Sequence, residues 1–252
     1  MEINKEEVEQ RFRRSRVSYN DNARVQKRVV DRMVPMILSS VERVPEKILE
    51  IGCGTGLLTS QLQRTFPSDG LYLNDLVEEL CYHAATVNHV PLKHCFPGDV
   101  EKLFLPLSFD LIASASTFQW FTTPEETFKK LSKRLEQRGV LVFSTFGKFN
   151  LREIRLTTGG GLDYRNKEEL EKMLKPYFEI ELIEEEFHML EFDTPLAVLQ
   201  HLKKTGVNVS GDSTIWTKGR VDAFIKDYNA RFAIDGKVAL TYHPLYFVCR
   251  RK

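Results

Sequence analysis

The fold of this chain is decided by residues 50–56, which read EIGCGTG. The apolar residues 47–51 (KILEI) predict a short buried strand, and a helical pattern follows the loop to about Thr65. Glycines at positions 52, 54 and 56 allow a sharp turn and let a ligand approach the backbone. The unbonded N–H groups at the start of the following helix add donors at the same place. This loop predicts a cofactor-binding turn between strand and helix, and the simplest alternative is an ordinary tight turn.

Strand and helix patterns alternate on both sides of this loop. Two helical patterns precede it, at 5–16 and 22–41. The elements predicted after it are strand 71–74, helix 77–87, strand 92–96, strand 109–115, helix 124–137 and strand 140–145. Strands that alternate with helices of this length predict an α/β fold with a mostly parallel sheet and right-handed crossovers.

The last hundred residues follow a different order. A helix at 167–175 precedes one long strand at 178–192, and a second long strand covers 237–250. Helical patterns lie between these two strands, which predicts an antiparallel strand at the sheet edge and a helical lid at about 194–236. We find no repeat and no linker, so residues 1–252 are predicted to form one domain. Its parts are N-terminal helices at 1–44, a cofactor-binding core at 45–150 and a substrate-side region at 151–252.

Composition excludes several classes of protein. The residues are 42% hydrophobic and 28% charged, as in a globular protein, and the net charge of +1 gives no strong attraction to nucleic acid or membranes. The first residues are charged rather than apolar, and no apolar run reaches the roughly 18 residues of a membrane span. The four cysteines show no C-x-x-C pairing, which argues against a zinc site or a disulfide framework. We therefore expect a cytoplasmic protein that binds no metal, no nucleic acid and no membrane.

The glycine loop separates two cofactors. A dinucleotide fingerprint requires a third glycine at the position of Leu57, whereas this chain has G-x-G-x-G with Glu50 two residues before it. This pattern resembles the signature of class I methyltransferases, which have a Rossmann-like sheet. The resemblance implies that the loop holds the methionine part of S-adenosylmethionine. It also implies that Glu50 orients the loop or meets the amino group of the cofactor.

Two acids further along the chain extend this site. Asp75 ends the second strand, where an acid accepts hydrogen bonds from ribose hydroxyls, although Asp is also a common helix N-cap. Residues 98–100 (GDV) resemble the position that holds the adenine amino group, and an ordinary turn is the alternative. The predicted cofactor-binding residues are Glu50, Gly52, Gly54, Gly56, Asp75, Leu76, Asp99, Val100 and Ser114.

A more particular resemblance runs from end to end. The matching segments are Phe12 with Ser18-Tyr19, 49–59 (LEIGCGTGLLT), 114–121 (SASTFQWF), 143–155 (FSTFGKFNLREIR), 199–209 (LQHLKKTGVNV) and 240–247 (LTYHPLYF). Together they resemble the malonyl-acyl-carrier-protein O-methyltransferase family of biotin synthesis. The last three segments lie outside the generic cofactor half. The resemblance implies methylation of the free carboxylate of malonyl on acyl carrier protein, which yields the malonyl methyl ester and S-adenosylhomocysteine.

This reaction needs orientation more than activation. A carboxylate has a reference pKa near 4 and needs no general base at neutral pH, and the sulfonium needs no metal to activate it. The reaction still requires hydrogen-bond donors that orient the carboxylate and a lid that excludes water. The candidate catalytic residues are Tyr19, Gln119, Arg155 and His243. Each also has a structural interpretation, such as helix packing for Tyr19 or a satisfied strand histidine for His243.

Two groups of basic residues could attract an acidic carrier protein. Arg11, Arg13, Arg14 and Arg16 form a cluster near the expected cleft, and Lys203, Lys204, Lys218 and Arg220 add charge on the predicted lid. Steering of an acidic partner is one interpretation, and a solvated helix face is the other.

Other functions remain open at this point. The chain could methylate another small acid or a quinone precursor, because the cofactor half would look the same. A nucleic-acid methyltransferase would show a more basic surface and often an N/D-P-P-Y/F base pocket, and neither is seen. A cofactor-binding protein without catalysis is the third alternative.

Overall fold

The computed structural model describes residues 3–67, 69–206 and 216–252, without the side chains of residues 15–22. The helices of this part are α1 (Lys5–Asn22), α2 (Arg24–Ser40), α3 (Leu57–Thr65), α4 (Glu78–Val87), α5 (Pro124–Ser132), α6 (Arg152–Thr158), α7 (Lys167–Leu174), α8 (Pro195–Lys204) and α9 (Lys218–Phe232). The strands are β1 (Ile48–Ile51), β2 (Leu71–Asp75), β3 (Cys95–Pro97), β4 (Phe109–Ser114), β5 (Leu135–Phe146), β6 (Phe178–Glu185), β7 (His188–Phe192), β8 (Ala233–Ile234), β9 (Lys237–Tyr242) and β10 (Pro244–Arg251).

Seven strands form the main sheet, in the order β3-β2-β1-β4-β5-β10-β6. The first five of these are parallel to one another, and β10 runs antiparallel between β5 and the terminal strand β6. The predicted α/β sheet, mostly parallel with an antiparallel strand at its edge, is therefore confirmed. The strand order reverses between β1 and β4, and this is where open α/β sheets bind ligands.

Helices cover both faces of the sheet, which explains the apolar character of its central strands. All four residues of β1 are buried. Ile48 packs in one layer with α2, α3 and α4, whereas Leu49 and Ile51 pack in the other layer with α5 and α7. Successive side chains of a strand point to opposite faces, so a parallel strand between two helical layers is apolar throughout. No helix of the described ranges is long and apolar enough to cross a membrane.

Two long predicted strands are each divided in the structure. The strand predicted at 178–192 is β6 and β7, and the strand predicted at 237–250 is β9 and β10. In each case one half stays in the main sheet and the other joins the small sheet β7-β9-β8. The breaks lie side by side, because the Glu186 N–H donates to the Pro244 carbonyl (3.0 Å). Apolar residues lie on both sides of each break, so the sequence pattern does not show where one strand ends and the next begins.

The helix predicted at 124–137 was also too long. Helix α5 ends at Ser132, and β5 already begins at Leu135. Arg138 has a left-handed φ of 63°, and the pairing of β5 with β4 shifts register near this point. The exposed polar residues 136–138 continue the charged pattern of α5, so the pattern does not mark the start of the strand.

Helices α8 and α9 pack together beside the small sheet. The Tyr228 hydroxyl of α9 donates to the Ala239 carbonyl (2.7 Å), and His201 of α8 bonds Tyr242 (2.8 Å). Helix α8 also contacts α1. The pair therefore occupies the position of the predicted lid, and residues 207–215 between them lie outside the described ranges.

Candidate functional site

An open cleft of about 780 Å³ lies at the carboxyl ends of β1, β2, β3 and β4, with α1 along one side. The residues that line it include Lys5, Val8 and Phe12 of α1, Gly52, Gly54 and Thr55, Asn74, Asp75, Leu76 and Val77, Gly98, Asp99 and Val100, and Ser116, Thr117, Trp120 and Phe121. Because it lies where the strand order reverses, this cleft is the candidate site.

The glycine loop keeps its backbone open toward the cleft. The Gly52 and Cys53 N–H groups both donate to the Asn74 carbonyl (2.8 and 3.0 Å), which fixes the turn against β2. Gly52 has a φ of 70°, and a Cβ there would lie 2.1 Å from Thr117 Oγ1. Gly54 has a φ of 53°, and a Cβ there would meet no atom within 4 Å. The space beside Gly54 is therefore the cleft itself.

Asp75 joins the end of β2 to this loop. Its Oδ2 accepts a hydrogen bond from the Gly54 N–H (2.7 Å), and its Oδ1 accepts one from the Val77 N–H (2.8 Å). Burial raises the pKa of Asp75 to about 6, although the two backbone hydrogen bonds act against this rise. Asp75 is not the N-cap of α4, which is Val77, although it bonds the N–H of that residue. Each carboxylate oxygen keeps further lone pairs and Asp75 borders the cleft, so its role toward a ribose stays a prediction.

Glu50 is buried in the middle of β1. Burial raises its pKa to about 8, so the carboxyl group carries a proton at neutral pH. Its Oε2 has no hydrogen-bond partner among the described residues. Glu50 borders a smaller space of about 350 Å³, the side cavity, which meets the cleft at Gly52, Gly54, Thr55, Ala115 and Ser116. A cation in the side cavity would find an acceptor here.

Lys5 of α1 forms ion pairs at the end of the cleft next to β3. Its ammonium lies 3.2 Å from Asp99 Oδ1 and 2.7 Å from Glu101 Oε2. Burial alone would raise the pKa of Glu101, but Lys5 and the backbone N–H groups of Thr122 and Thr123 outweigh it and lower the pKa to about 2. The Lys5 ammonium also lies 5.2 Å from the centre of the Phe121 ring.

Two aromatic rings continue this contact along α1. Phe12 meets Trp120 edge to face, with ring centres 5.6 Å apart. The Trp120 indole N–H is buried and has no hydrogen-bond partner in the described part of the chain. Sequence reasoning named neither Lys5 nor Val8 for the site, because a lysine and a valine on an amphipathic helix carry no signal beyond the helix itself.

The structure brings most of the predicted cofactor residues together. Gly52, Gly54, Asp75, Leu76, Asp99 and Val100 border the cleft, and Glu50 borders the side cavity. Two other predicted residues, Gly56 and Ser114, are not among the residues that border the cleft or the side cavity. Gly56 caps α3 with a left-handed φ of 88°, and the buried Ser114 hydroxyl donates to the Ile51 carbonyl (2.8 Å).

The predicted catalytic residues do not gather in the same way. The side chain of Tyr19 lies outside the described part of the chain. The Gln119 amide donates to the Ser116 carbonyl (2.6 Å) and accepts from Thr145 (3.2 Å), next to Trp120. Arg155 on α6 donates to the Lys148 carbonyl. Neither Gln119 nor Arg155 borders the cleft, and the catalytic roles of all three residues stay predictions.

His243 lies at the junction of β9 and β10. Its Nδ1 accepts from the Phe149 N–H (3.2 Å), and its Nε2 lies 3.2 Å from Glu185. Burial lowers the pKa of His243, and this exceeds the opposing effect of Glu185. The ring is therefore neutral near pH 7, and it too lies away from the cleft lining.

Comparison with known proteins gives consistent results. The methyltransferase domain family matches residues 49–143. A malonyl-acyl-carrier-protein O-methyltransferase from Bacteroides thetaiotaomicron is 38% identical, over 99% of this chain and 99% of its own length. Proteins of the same name from Acinetobacter baylyi and Haemophilus influenzae are 36% and 35% identical. Their matches cover 99% and 98% of this chain, and 98% and 95% of the relatives.

Solved structures share the fold at much lower identity. The YcgJ protein from Bacillus subtilis matches with a TM-score of 0.65 at 15% identity, over 88% of this chain and 99% of its own. The N-methyltransferase NodS from Bradyrhizobium japonicum, solved with S-adenosylhomocysteine, matches with a TM-score of 0.53 at 16% identity. That match covers 88% of this chain and 85% of NodS. Among the described residues, no group of three or more His, Cys, Asp or Glu could hold a metal ion.

Proposed function

This chain belongs to the malonyl-acyl-carrier-protein O-methyltransferase family, and from that premise we propose that it methylates the free carboxylate of malonyl carried on acyl carrier protein. The methyl donor is S-adenosylmethionine, and the products are the malonyl methyl ester and S-adenosylhomocysteine. The ester would enter the synthesis of biotin, in the cytoplasm. The observation that carries this proposal is the cleft at the glycine loop, joined to the side cavity, where Glu50 Oε2 has no hydrogen-bond partner among the described residues.

The residues of the cleft suit each part of the donor. Asp75 offers acceptors for the ribose hydroxyls, and Asp99 with Val100 would meet the adenine. Gly54 leaves room for the donor against the backbone, and Glu50 offers an acceptor for the ammonium of the methionine part. An ammonium beside Glu50 favours the ionised carboxylate, so its binding lowers the raised pKa of that group.

The protein contributes position and exclusion of water. The bound donor supplies a methyl group that is already activated by its sulfonium. The malonyl carboxylate is ionised at neutral pH, so the proposed reaction requires no general base. Helix α1 brings Val8 and Phe12 over the cleft, and Trp120 closes the side toward β4. An apolar wall of this kind would help to hold the reacting atoms together and to exclude water.

A transfer assay tests the proposed function directly. We expect labelled methyl from S-adenosylmethionine to appear on malonyl-acyl-carrier protein and not on free malonate or RNA. A base-labile label would identify the methyl ester. Transfer to free malonate or a quinone precursor at equal rates would favour the small-molecule alternative. Binding of the donor without transfer to any acceptor would indicate a cofactor-binding protein without catalysis.

The pH dependence of kcat provides a first prediction. With both substrates saturating, we expect kcat to change little between about pH 6.5 and 9, because the nucleophile is already ionised. His243→Ala should lower kcat by a constant factor across this range, since burial keeps the imidazole neutral. Initial rates at saturation measure this. A kcat that rises through a pKa in wild type and loses that rise in His243→Ala would contradict carboxyl methylation.

The basic face of α1 provides a second prediction. Arg11 and Arg13 are partly neutralised, because Arg11 pairs with Glu7 and Arg13 pairs with Glu9 and Glu79. Arg14 is exposed. Replacing Arg13 and Arg14 with glutamate should raise KM for the carrier-bound substrate by about three- to tenfold at low salt, and less at high salt, because exposed charges are screened.

Two controls make this measurement specific. A small malonyl thioester should show unchanged KM with the same variant. As a matched control, Arg64 and Lys93 are replaced with glutamate. Both are exposed and lie near the amino ends of β2 and β3, so this variant should leave KM for both substrates unchanged. Equal losses on the carrier protein and the thioester would indicate a role of these arginines in folding.

A further inference from the structure

Three basic side chains occupy the first two turns of α2 without an ion pair. Arg24, Lys27 and Arg28 are exposed, and none of them pairs with an acid of the described residues. Cations three or four positions apart on a helix repel one another, and cations in the first turn oppose the helix dipole. The first turn of α2 has no acidic residue to offset this. The arrangement lowers the stability of α2, and a negatively charged partner outside the helix would offset that cost.

Other arginines on the surface have acidic neighbours. Arg32, one turn further along α2, pairs with Glu184. At the amino edge of the sheet the pairs are Arg43 with Asp110 and Arg138 with Glu42. The positive charge at the start of α2 is therefore not neutralised in the way that it is at these places.

Helix α8 extends this positive charge. Its last two residues, Lys203 and Lys204, are exposed. Burial, and then the charges of Arg24 and Lys204, lower the pKa of His201 to about 4, so both cations lie near this buried ring. The two helices thus form one surface, the basic rim, which consists of Arg24, Lys27, Arg28, Lys203 and Lys204.

The basic rim lies at the edge of the sheet that carries the cleft. Gln26, in the first turn of α2, borders the side cavity, which meets the cleft at the glycine loop. The other end of α2 lies at the opposite edge, where the Ser40 carbonyl accepts a hydrogen bond from Arg250 near the end of β10 (2.9 Å). Helix α8 occupies the position of the predicted lid and contacts α1. A macromolecule bound at the basic rim would therefore stand beside the cleft.

We propose that the basic rim is the docking surface for an acidic protein, which under the proposed function is the acyl carrier protein. This inference rests on the proposed function for the identity of that partner. Opposite charges on two protein surfaces raise the rate of encounter and fix the orientation in which the proteins meet. A carrier protein held at the basic rim would present its malonyl thioester to the cleft. The face of α1 is less suited to this, because Arg11 and Arg13 already have acidic partners.

Charge reversal at the start of α2 tests this surface on the full chain. In the double variant Arg24→Glu with Arg28→Glu, KM for malonyl-acyl-carrier protein should rise about tenfold at low salt, and less at high salt. KM for a small malonyl thioester and Kd for S-adenosylhomocysteine should stay as in wild type, because neither ligand extends to the basic rim. Initial rates and calorimetry measure these values.

Thermal unfolding distinguishes docking from a role in folding. Acids in the first turn of a helix are favourable, so the double variant should unfold at the wild-type temperature or above it. A lower unfolding temperature, together with losses on all three ligands, would show that the two arginines stabilise the fold and would overturn the assignment.

Lys129 and Lys133 provide a matched control. They lie on and directly after α5, are exposed, and belong to the helical layer on the other face of the sheet. Lys129→Glu with Lys133→Glu makes the same change in net charge and should leave KM for the carrier protein unchanged. An equal rise in both double variants would show that net charge alone controls the encounter.

Two results separate this inference from the proposed function. If the wild-type protein methylates malonyl-acyl-carrier protein and Arg24→Glu with Arg28→Glu leaves KM unchanged, the docking surface is wrong and the proposed function stands. If the wild-type protein methylates a small acid and not the carrier protein, the proposed function is wrong, and this inference fails with it.

Discussion

Replacing Gly54 with valine is expected to abolish cofactor binding, with a rise in Kd of at least ~100-fold, or about 2.7 kcal/mol. A Cβ at this position points into open space, and that space is the cleft. The two γ-methyl groups of valine would occupy the volume that the donor needs. The φ of 53° is also unfavourable for a β-branched residue. Calorimetry with S-adenosylhomocysteine measures the loss.

A matched variant distinguishes the effect of backbone strain from the effect of a blocked cleft. Gly159 also has a left-handed φ, of 69°, and open space beside it, but it lies at the end of α6 away from the cleft. Gly159→Val should therefore lower the unfolding temperature by a similar amount and leave the affinity unchanged. If Gly54→Val is folded and binds the cofactor as wild type does, the cleft is not the cofactor site.

Asp75→Ala is expected to weaken cofactor binding by about 1.5–3 kcal/mol, or roughly 10- to 150-fold. The variant loses acceptors for the ribose and also the hydrogen bond that holds Gly54. The affinity of the wild-type protein should fall as the pH drops through about 6, where Asp75 takes up a proton. Asp75→Ala should lack this step. Titrations at several pH values follow both effects.

Asp110 offers the matched control for this acid. Its Oδ2 also accepts two backbone hydrogen bonds, from the Glu46 and Lys47 N–H groups (both 3.0 Å), but at the amino end of β4. Asp110→Ala should lower stability without changing the affinity. Equal affinity losses in Asp75→Ala and Asp110→Ala would show that loss of loop structure, and not loss of a ligand contact, causes the effect.

The sequence predicted the cofactor half of the site because its signals are local. The glycines of the loop, Asp75 and the GDV turn each follow a strand by a few residues, and parallel strands place their carboxyl ends at one edge. Long-range contacts had no such signal. Lys5 meets Asp99 and Glu101 across more than ninety positions of sequence, and Gln26 lies within an ordinary apolar helix pattern.

The strand breaks at 186–187 and at His243 escaped prediction for a related reason. Each half has the apolar residues of a strand, and the halves pair with different neighbours, β6 and β10 in the main sheet and β7 and β9 in the small sheet. The same limit applies to cysteines. Cys53, Cys81 and Cys95 have no common sequence motif, yet all three pack in the same layer of the core. These features depend on which strands and side chains meet in the folded protein, and the periodicity of the sequence carries no information about that.

The contact between Lys5 and the floor of the cleft has a consequence for the catalytic cycle. Helix α1 lies along the path that a nucleoside takes in and out, and Lys5, Val8 and Phe12 all border that path. If α1 opens to exchange the donor for its product, that motion would break the two Lys5 ion pairs. Segment opening of this kind occurs in microseconds to milliseconds and often limits kcat. Residues of α1 would then govern the residence time of the donor and its product as well as the exclusion of water.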